Sequence, residues 1–131
     1  MTKHIGHFSL WGDFDVDEIT TLLKVEPSSV YRKGDVLDGA ESPARVATWD
    51  FHCPPEKTMH EQVEFLLASL WPRAEVLRTL TARFKADMNV AGTCVNGAQV
   101  LSLNSETLQK LVSLNVTLNC FYLEDESENG D

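Results

Sequence analysis

Little in this sequence points to chemistry. It has three cysteines, Cys53, Cys94 and Cys120, odd in number and far apart. They form no Cys-x-x-Cys pair, which argues against a zinc site or a redox motif. Each falls in an apolar strand and is expected to be a small core hydrophobe in a reducing compartment. No apolar run approaches the roughly 20 residues of a membrane span, and no charged-then-apolar leader is found. A cytoplasmic protein is therefore expected. Cations are also scarce, with 11 Lys and Arg against 20 Asp and Glu, for a net charge of -9. That balance argues against a nucleic-acid backbone as the main partner, and against an anionic membrane surface. It leaves room for a basic protein partner.

Catalytic sets are missing as well. There is no Gly-x-Ser-x-Gly elbow, and Cys53 and Cys120 fall on inward strand faces. Asp13, Asp15 and Asp17 resemble a calcium loop only superficially, because Glu18 and Lys24 stand where an EF-hand needs its glycine and its glutamate. Four histidines, His4, His7, His52 and His60, show no pairing at ligand spacing. No catalytic residue, metal or cofactor is expected.

What is present is architecture, and it is organised around the stretch from Gly12 to Gly34. Asp15 has the position of an N-cap, with Glu18 set to complete a capping box and Phe14 set to staple onto Ile19. Val16, Ile19, Leu22 and Leu23 share one helical face. Pro27 stops the helix and biases Glu26 toward extended backbone. Tyr31-Arg32-Lys33-Gly34 then puts two cations and an aromatic in a turn, within a long loop from Glu26 to Ala44. His4 to Trp11, ahead of this stretch, is expected to be a strand.

Arg45 to Cys53 alternates. Ala47, Trp49, Phe51 and Cys53 face one side, and Val46, Thr48, Asp50 and His52 the other. Thr58 with Glu61 signals a capping box, and Met59, Val63, Leu66, Leu67, Leu70 and Trp71 keep helical spacing until Pro72. Arg73 to Arg83 predicts a second, shorter helix with Val76, Leu77 and Leu80 inward. Phe84 to Val90 alternates again. Asn96-Gly97 predicts a tight hairpin leading into a strand from Ala98 to Leu103. Ser105 is expected to cap a helix carrying Leu108, Leu111 and Val112, and Asn115 to stop it in a left-handed conformation. Val116 to Leu123 is the last strand.

This order predicts one α+β domain over residues 1–124. Its ferredoxin-like split βαβ core would occupy residues 45–123, with helices on one face of a mostly antiparallel sheet. The first strand and helix would be an N-terminal addition, the strand extending a sheet edge. Trp49, Phe51, Leu66, Leu70, Met88, Leu101, Leu118 and the inward side of Ile19–Leu23 should form the core. Residues 125–131, rich in Asp and Glu, are expected to be a disordered acidic tail.

Taken together, these features resemble a bacterial family catalogued as a domain of unknown function, number 4279, over nearly the whole chain. The resemblance rests on Gly12, the acidic cap segment, Ile19-Thr20-x-x-Leu23 and Pro27-Ser28. It continues through the Tyr31-Arg32-Lys33-Gly34 turn, Trp49, Leu70-Trp71-Pro72, Leu101-Ser102-x-x-Ser105-Glu106-x-Leu108 and Tyr122. Near Tyr122 the family more often has an acidic residue, where this chain has Asn119 and Cys120. The resemblance implies the fold and a bacterial origin, and no reaction.

Three functional classes stay open. The first is a non-catalytic binding protein whose partner is another protein, for example one that neutralises a bacterial toxin, or a second copy meeting the outer sheet face. That face is expected to include Val46, Thr48, Asp50, His52, Ala98, Val100 and Thr117. The second is a small-molecule anion binder using Tyr31, Arg32, Lys33, Gly34 and Trp49: a donor fork, a point charge, close backbone approach and an aromatic wall. The third is an enzyme with an unrecognised site. Against the second stands the plain alternative that the turn is solvated and Trp49 is core.

Overall fold

Most element ends in the computed structural model, which describes residues 6–36, 39, 41–94 and 101–124, follow from local chemistry. Strand β1 (His7–Gly12) leads into helix α1 (Val16–Leu23). The Asp15 carboxylate accepts from the Asp17 N–H at 2.9 Å and caps α1, but Glu18 does not close the expected box. Phe14 packs edge-on against Phe84 at 5.1 Å. Lys24 ends the helix in the left-handed region, at φ 57°, ahead of Pro27. The long loop then yields a short strand, β2 (Ser29–Tyr31), which its composition did not announce.

Strand β3 (Ala47–His52) is followed by α2 (Met59–Leu70), whose Thr58–Glu61 capping box forms as expected. The bonds from the Thr58 backbone hold the Glu61 carboxyl below its ordinary range. A single 3₁₀ turn, Trp71–Arg73, carries Pro72 and hands over to α3 (Ala74–Thr81), with Leu77 and Leu80 buried. Next come β4 (Lys85–Cys94), α4 (Ser105–Ser113) and β5 (Thr117–Glu124). Asn104, one residue earlier than expected, caps α4 by accepting from the Thr107 N–H at 2.8 Å. Asn115 takes the left-handed conformation at φ 56°.

The strands form one sheet in the order β2-β3-β1-β4-β5. All neighbours are antiparallel except β4 and β5, which are parallel. This is the expected α+β architecture with a mostly antiparallel sheet, but two placements inside it differ. β1 lies at the centre of the sheet, flanked by β3 and β4, and not at an edge. The alternation of strands and helices that suggested split βαβ units from residue 45 onward is met over β1 to β4, with α4 and β5 as the added pair.

The second difference concerns the strand expected to end at Leu103. The Asn96-Gly97 turn and residues 98–100 lie outside the described residues, and Leu101–Asn104 form no strand. β1 pairs β4 up to Asn89, and β5 pairs it from Asp87 to Cys94. Residues 1–5, including His4, and the 125–131 segment also lie outside the described residues.

One apolar cluster joins the helices to one face of the sheet. Phe8, Leu10, Ala47, Trp49, Ala86, Met88 and Val90 meet Ile19, Leu23, Val63, Leu66, Leu70, Leu77 and Leu111 there. Phe51, Leu101 and Leu118 are half-buried against it. Gly12 sits where the layers close. A Cβ there would fall 2.3 Å from the Phe84 ring, so this glycine is needed for close approach.

Candidate interaction face

The helices cover one face of the sheet, and the strand residues of opposite parity form the other. Register places them in rows. Ser29, Asp50, Ser9, Asp87 and Thr117 are successive partners across all five strands. In the next row His52, His7, Asn89 and Asn119 are partners, and beyond the first row on its other side stand Tyr31, Thr48, Trp11 and Lys85.

Hydrogen bonds join side chains within and between these rows. The hydroxyl of Ser9, only 2% exposed, donates to Asp50 Oδ1, and Ser29 donates to Asp50 Oδ2 at 3.3 Å. Asn119 donates to Asp87 Oδ2 at 3.3 Å and to Asn89 Oδ1 at 2.9 Å. Asn89 Nδ2 lies 3.2 Å from His7 Nε2, and the His7 and His52 rings are 5.6 Å apart. Asp87 Oδ1 is buried and accepts no hydrogen bond from the described residues. Ser9 stands between Asp50 and Asp87 with one proton to give, and gives it to Asp50. Lys85 lies over the Trp11 ring at 5.7 Å.

Asp50, His52, Thr48 and Thr117 were legible as members of this face. Ser9, Ser29, Asp87, Asn89 and Asn119 were not, although the alternation of Lys85, Asp87 and Asn89 marked them as pointing away from the core. Val46 is exposed ahead of β3, and Ala98 and Val100 lie outside the described residues.

The basic turn is a separate place. Arg32 makes a two-pronged contact with Asp17, at 3.2 and 3.4 Å, and Lys33 lies 3.6 Å from Asp13. The Asp17 hydrogen bond and charge raise the Arg32 pKa further above its ordinary value. Asp35 accepts from the Arg32 N–H at 2.7 Å and closes the turn, and Gly34 takes φ 96°. A Cβ on Gly34 would meet nothing within 4 Å, so the glycine serves the turn's conformation. Tyr31 is exposed, on the open face of the sheet. Trp49 is fully buried on the other face, where its indole N–H donates to Thr20 Oγ1 at 3.0 Å. Tyr31, Arg32, Lys33 and Gly34 therefore stay together, and Trp49 stands apart from them as core.

Burial pushes the Cys53 thiol up, which keeps it protonated and poorly nucleophilic. Among the described residues no group of three or more His, Cys, Asp and Glu side chains is arranged to hold a metal ion. No helix among them is long and apolar enough to cross a membrane.

With this geometry established, a family model matches residues 2–123. The chain belongs to the family described as Domain of unknown function (DUF4279). That family assignment agrees with the resemblance seen from Gly12 to Tyr122. Comparison with curated proteins and with solved structures gives no match.

Proposed function

We propose that this member of the family is a non-catalytic binding protein that holds another protein on the open face of its sheet. The observation that carries this is the set of hydrogen-bonded polar side chains that reaches all five strands, with Asp50 and Asp87 near its middle and one Asp87 oxygen without a donor among the described residues. Its carboxylates and the net charge of -9 suit a basic partner. A bacterial neutralising or regulatory protein is the role in view. The free Cys53 and Cys120 are consistent with a reducing cytoplasm.

The alternative reading is a small-molecule anion binder that uses the basic turn. Arg32 and Lys33 remain 54% and 60% exposed, and an anion could displace Asp17 and Asp13 from them. An enzyme with an unrecognised site ranks last.

One experiment separates these functions. His52→Glu with Thr117→Arg alters the open face, and Arg32→Ala with Lys33→Ala alters the turn. A partner co-purifying from the native host should be lost with the first pair and kept with the second. Phosphate should leave the thermal midpoint of the wild type unmoved. The opposite pattern, with phosphate stabilising the protein only while Arg32 and Lys33 are intact, would overturn the proposal in favour of the turn.

A further inference from the structure

We propose that His7 and Asp87 are the two ends of one hydrogen-bond relay whose direction is set by protons, so that acid reverses the relay and neutralises Asp87. The relay crosses β1, β4 and β5. A carboxylate only accepts hydrogen bonds, so the ionised Asp87 fixes which end of Asn119 it meets. Asn119 Nδ2 donates to Asp87 Oδ2 at 3.3 Å and to Asn89 Oδ1 at 2.9 Å. Asn89 is thereby turned with its Nδ2 toward His7 Nε2, 3.2 Å away. That ring nitrogen must accept, which makes His7 a neutral imidazole with its proton on Nδ1. One carboxylate on β4 thus sets the tautomer of a histidine on β1, by way of a side chain on β5.

A proton on His7 Nε2 reverses every link. It meets the Asn89 amide nitrogen, donor against donor, until Asn89 turns over to present its oxygen. Asn89 then offers its nitrogen to Asn119, which must turn over as well. The Asn119 oxygen then faces Asp87 Oδ2, acceptor against acceptor, a contact that lasts only if Asp87 takes a proton and donates it. Two protons therefore enter from solvent, one at each end, and each hydrogen bond of the relay is remade in the opposite sense. Asp87 is suited to this exchange. Its Oδ1 is buried and accepts from none of the described residues, so among them the ionised form has one side-chain donor, Asn119.

The other titratable side chains on this face stand outside the relay. From β3, the His52 ring lies 5.6 Å from the His7 ring, so a charge on His52 opposes one on His7. Asp50, also on β3, keeps Ser9 and Ser29 as donors in both states, and Ser9 has no second proton for Asp87. On β4, Lys85 lies over the Trp11 ring at 5.7 Å. β2 contributes Tyr31, in the row with Thr48, Trp11 and Lys85, and β5 contributes Thr117, Asn119 and Phe121, which do not titrate. A neutral Asp87 leaves the face less negative. A weaker hold on a basic partner in acid follows, and that consequence alone rests on the reading given above.

The test is imidazole and carboxyl NMR on the full chain with no partner added, from about pH 7.5 to about pH 5, the range in which histidine ordinarily titrates. His52→Gln separates the His7 signals from those of its neighbour. In the wild type at the upper end of the range, His7 should carry its proton on Nδ1. As His7 gains its second proton, the Asp87 carboxyl carbon and the Asn89 and Asn119 side-chain amides should shift with it, as one event. In Asp87→Asn both directions of the relay are served equally, so the preference for the Nδ1 tautomer should fall several-fold. Should Asp87→Asn fail to fold, the wild-type titration decides. A His7 proton on Nε2 at the upper end, an Asp87 carboxyl carbon that stays put while His7 becomes charged, or an unchanged tautomer in folded Asp87→Asn would overturn the inference. Release of a basic partner in acid is read separately: a partner that never binds ends the reading above and leaves these spectra as they are.

Discussion

The two faces of this sheet are built from the same strands and obey different rules. On the covered face, Trp49, Phe8, Met88 and the helices exclude water, and stability follows apolar volume. On the open face, Ser9, Asp50, Asn89 and Asn119 are held by donors and acceptors that must match one by one. A packing fault on the covered face is felt by every neighbour. A fault on the open face is felt by one or two partners. The covered face fixes the fold, and the open face is free to be spent on recognition.

The comparison can be broken at its strong side first. Leu66 is fully buried between α2 and the sheet. Leu66→Ala should cost about 2–5 kcal/mol by denaturant unfolding, as a core cavity. A cost under about 0.5 kcal/mol, typical of surface sites, would show that α2 does not pack as described.

Next comes the polar side. Ser9→Ala removes one donor from Asp50 and leaves Ser29 as its remaining side-chain partner. A loss of about 1.5–3 kcal/mol is expected, the range for hydrogen bonds to charged groups. If Ser9→Ala costs as much as Leu66→Ala, the two faces are not energetically distinct.

A smaller effect should appear with pH. The Cys53 and Cys120 thiols are both raised by burial. The folded chain keeps these protons where the unfolded chain gives them up, so their contribution is full below the ordinary thiol value, about 8.5. It should be lost as pH rises from there through the higher folded values. The slope of stability against pH in that window should flatten in Cys53→Ser with Cys120→Ser. An unchanged slope would mean that the covered face does not shield these sulfurs.

The smallest effect is expected at the basic turn. Arg32→Ala breaks an exposed ion pair with Asp17, and the thermal midpoint should stay where it is. A clear fall would make the turn part of the fold's support.

These sites also show what could be seen without coordinates. The α2 pattern from Met59 to Leu70, the Thr58 box and the inward set of Ala47, Trp49, Phe51 and Cys53 were legible, because each depends on neighbours close in sequence. The central position of β1 was not, since nothing within His7–Gly12 says which strands will flank it. Asn96-Gly97 lies outside the described residues, and of the strand expected after it Leu101–Leu103 form none, because the alternation of a few apolar residues does not fix a strand without a partner. The open-face rows were hidden for the same reason. Ser9, Asp50 and Asp87 come from three segments, and only register makes them neighbours. Trp49 allowed two roles, wall or core, and its alternation with Ala47 and Phe51 already favoured core.

Gln62 carries a consequence for motion. Its amide lies buried on α2, accepts from the Ala91 N–H at 2.9 Å and donates to the Ala91 carbonyl at 2.7 Å. β1 ends its pairing with β4 at the His7–Asn89 partners, so at Ala91 a side chain takes over the bonds that a strand would make. The far half of β4 is thereby latched to a helix. Fluctuations that lift the first turns of α2 must free the Ala91 amide to exchange with solvent, and a quiet α2 keeps that part of the sheet closed. Breathing of the helical layer and fraying of β4 are one event.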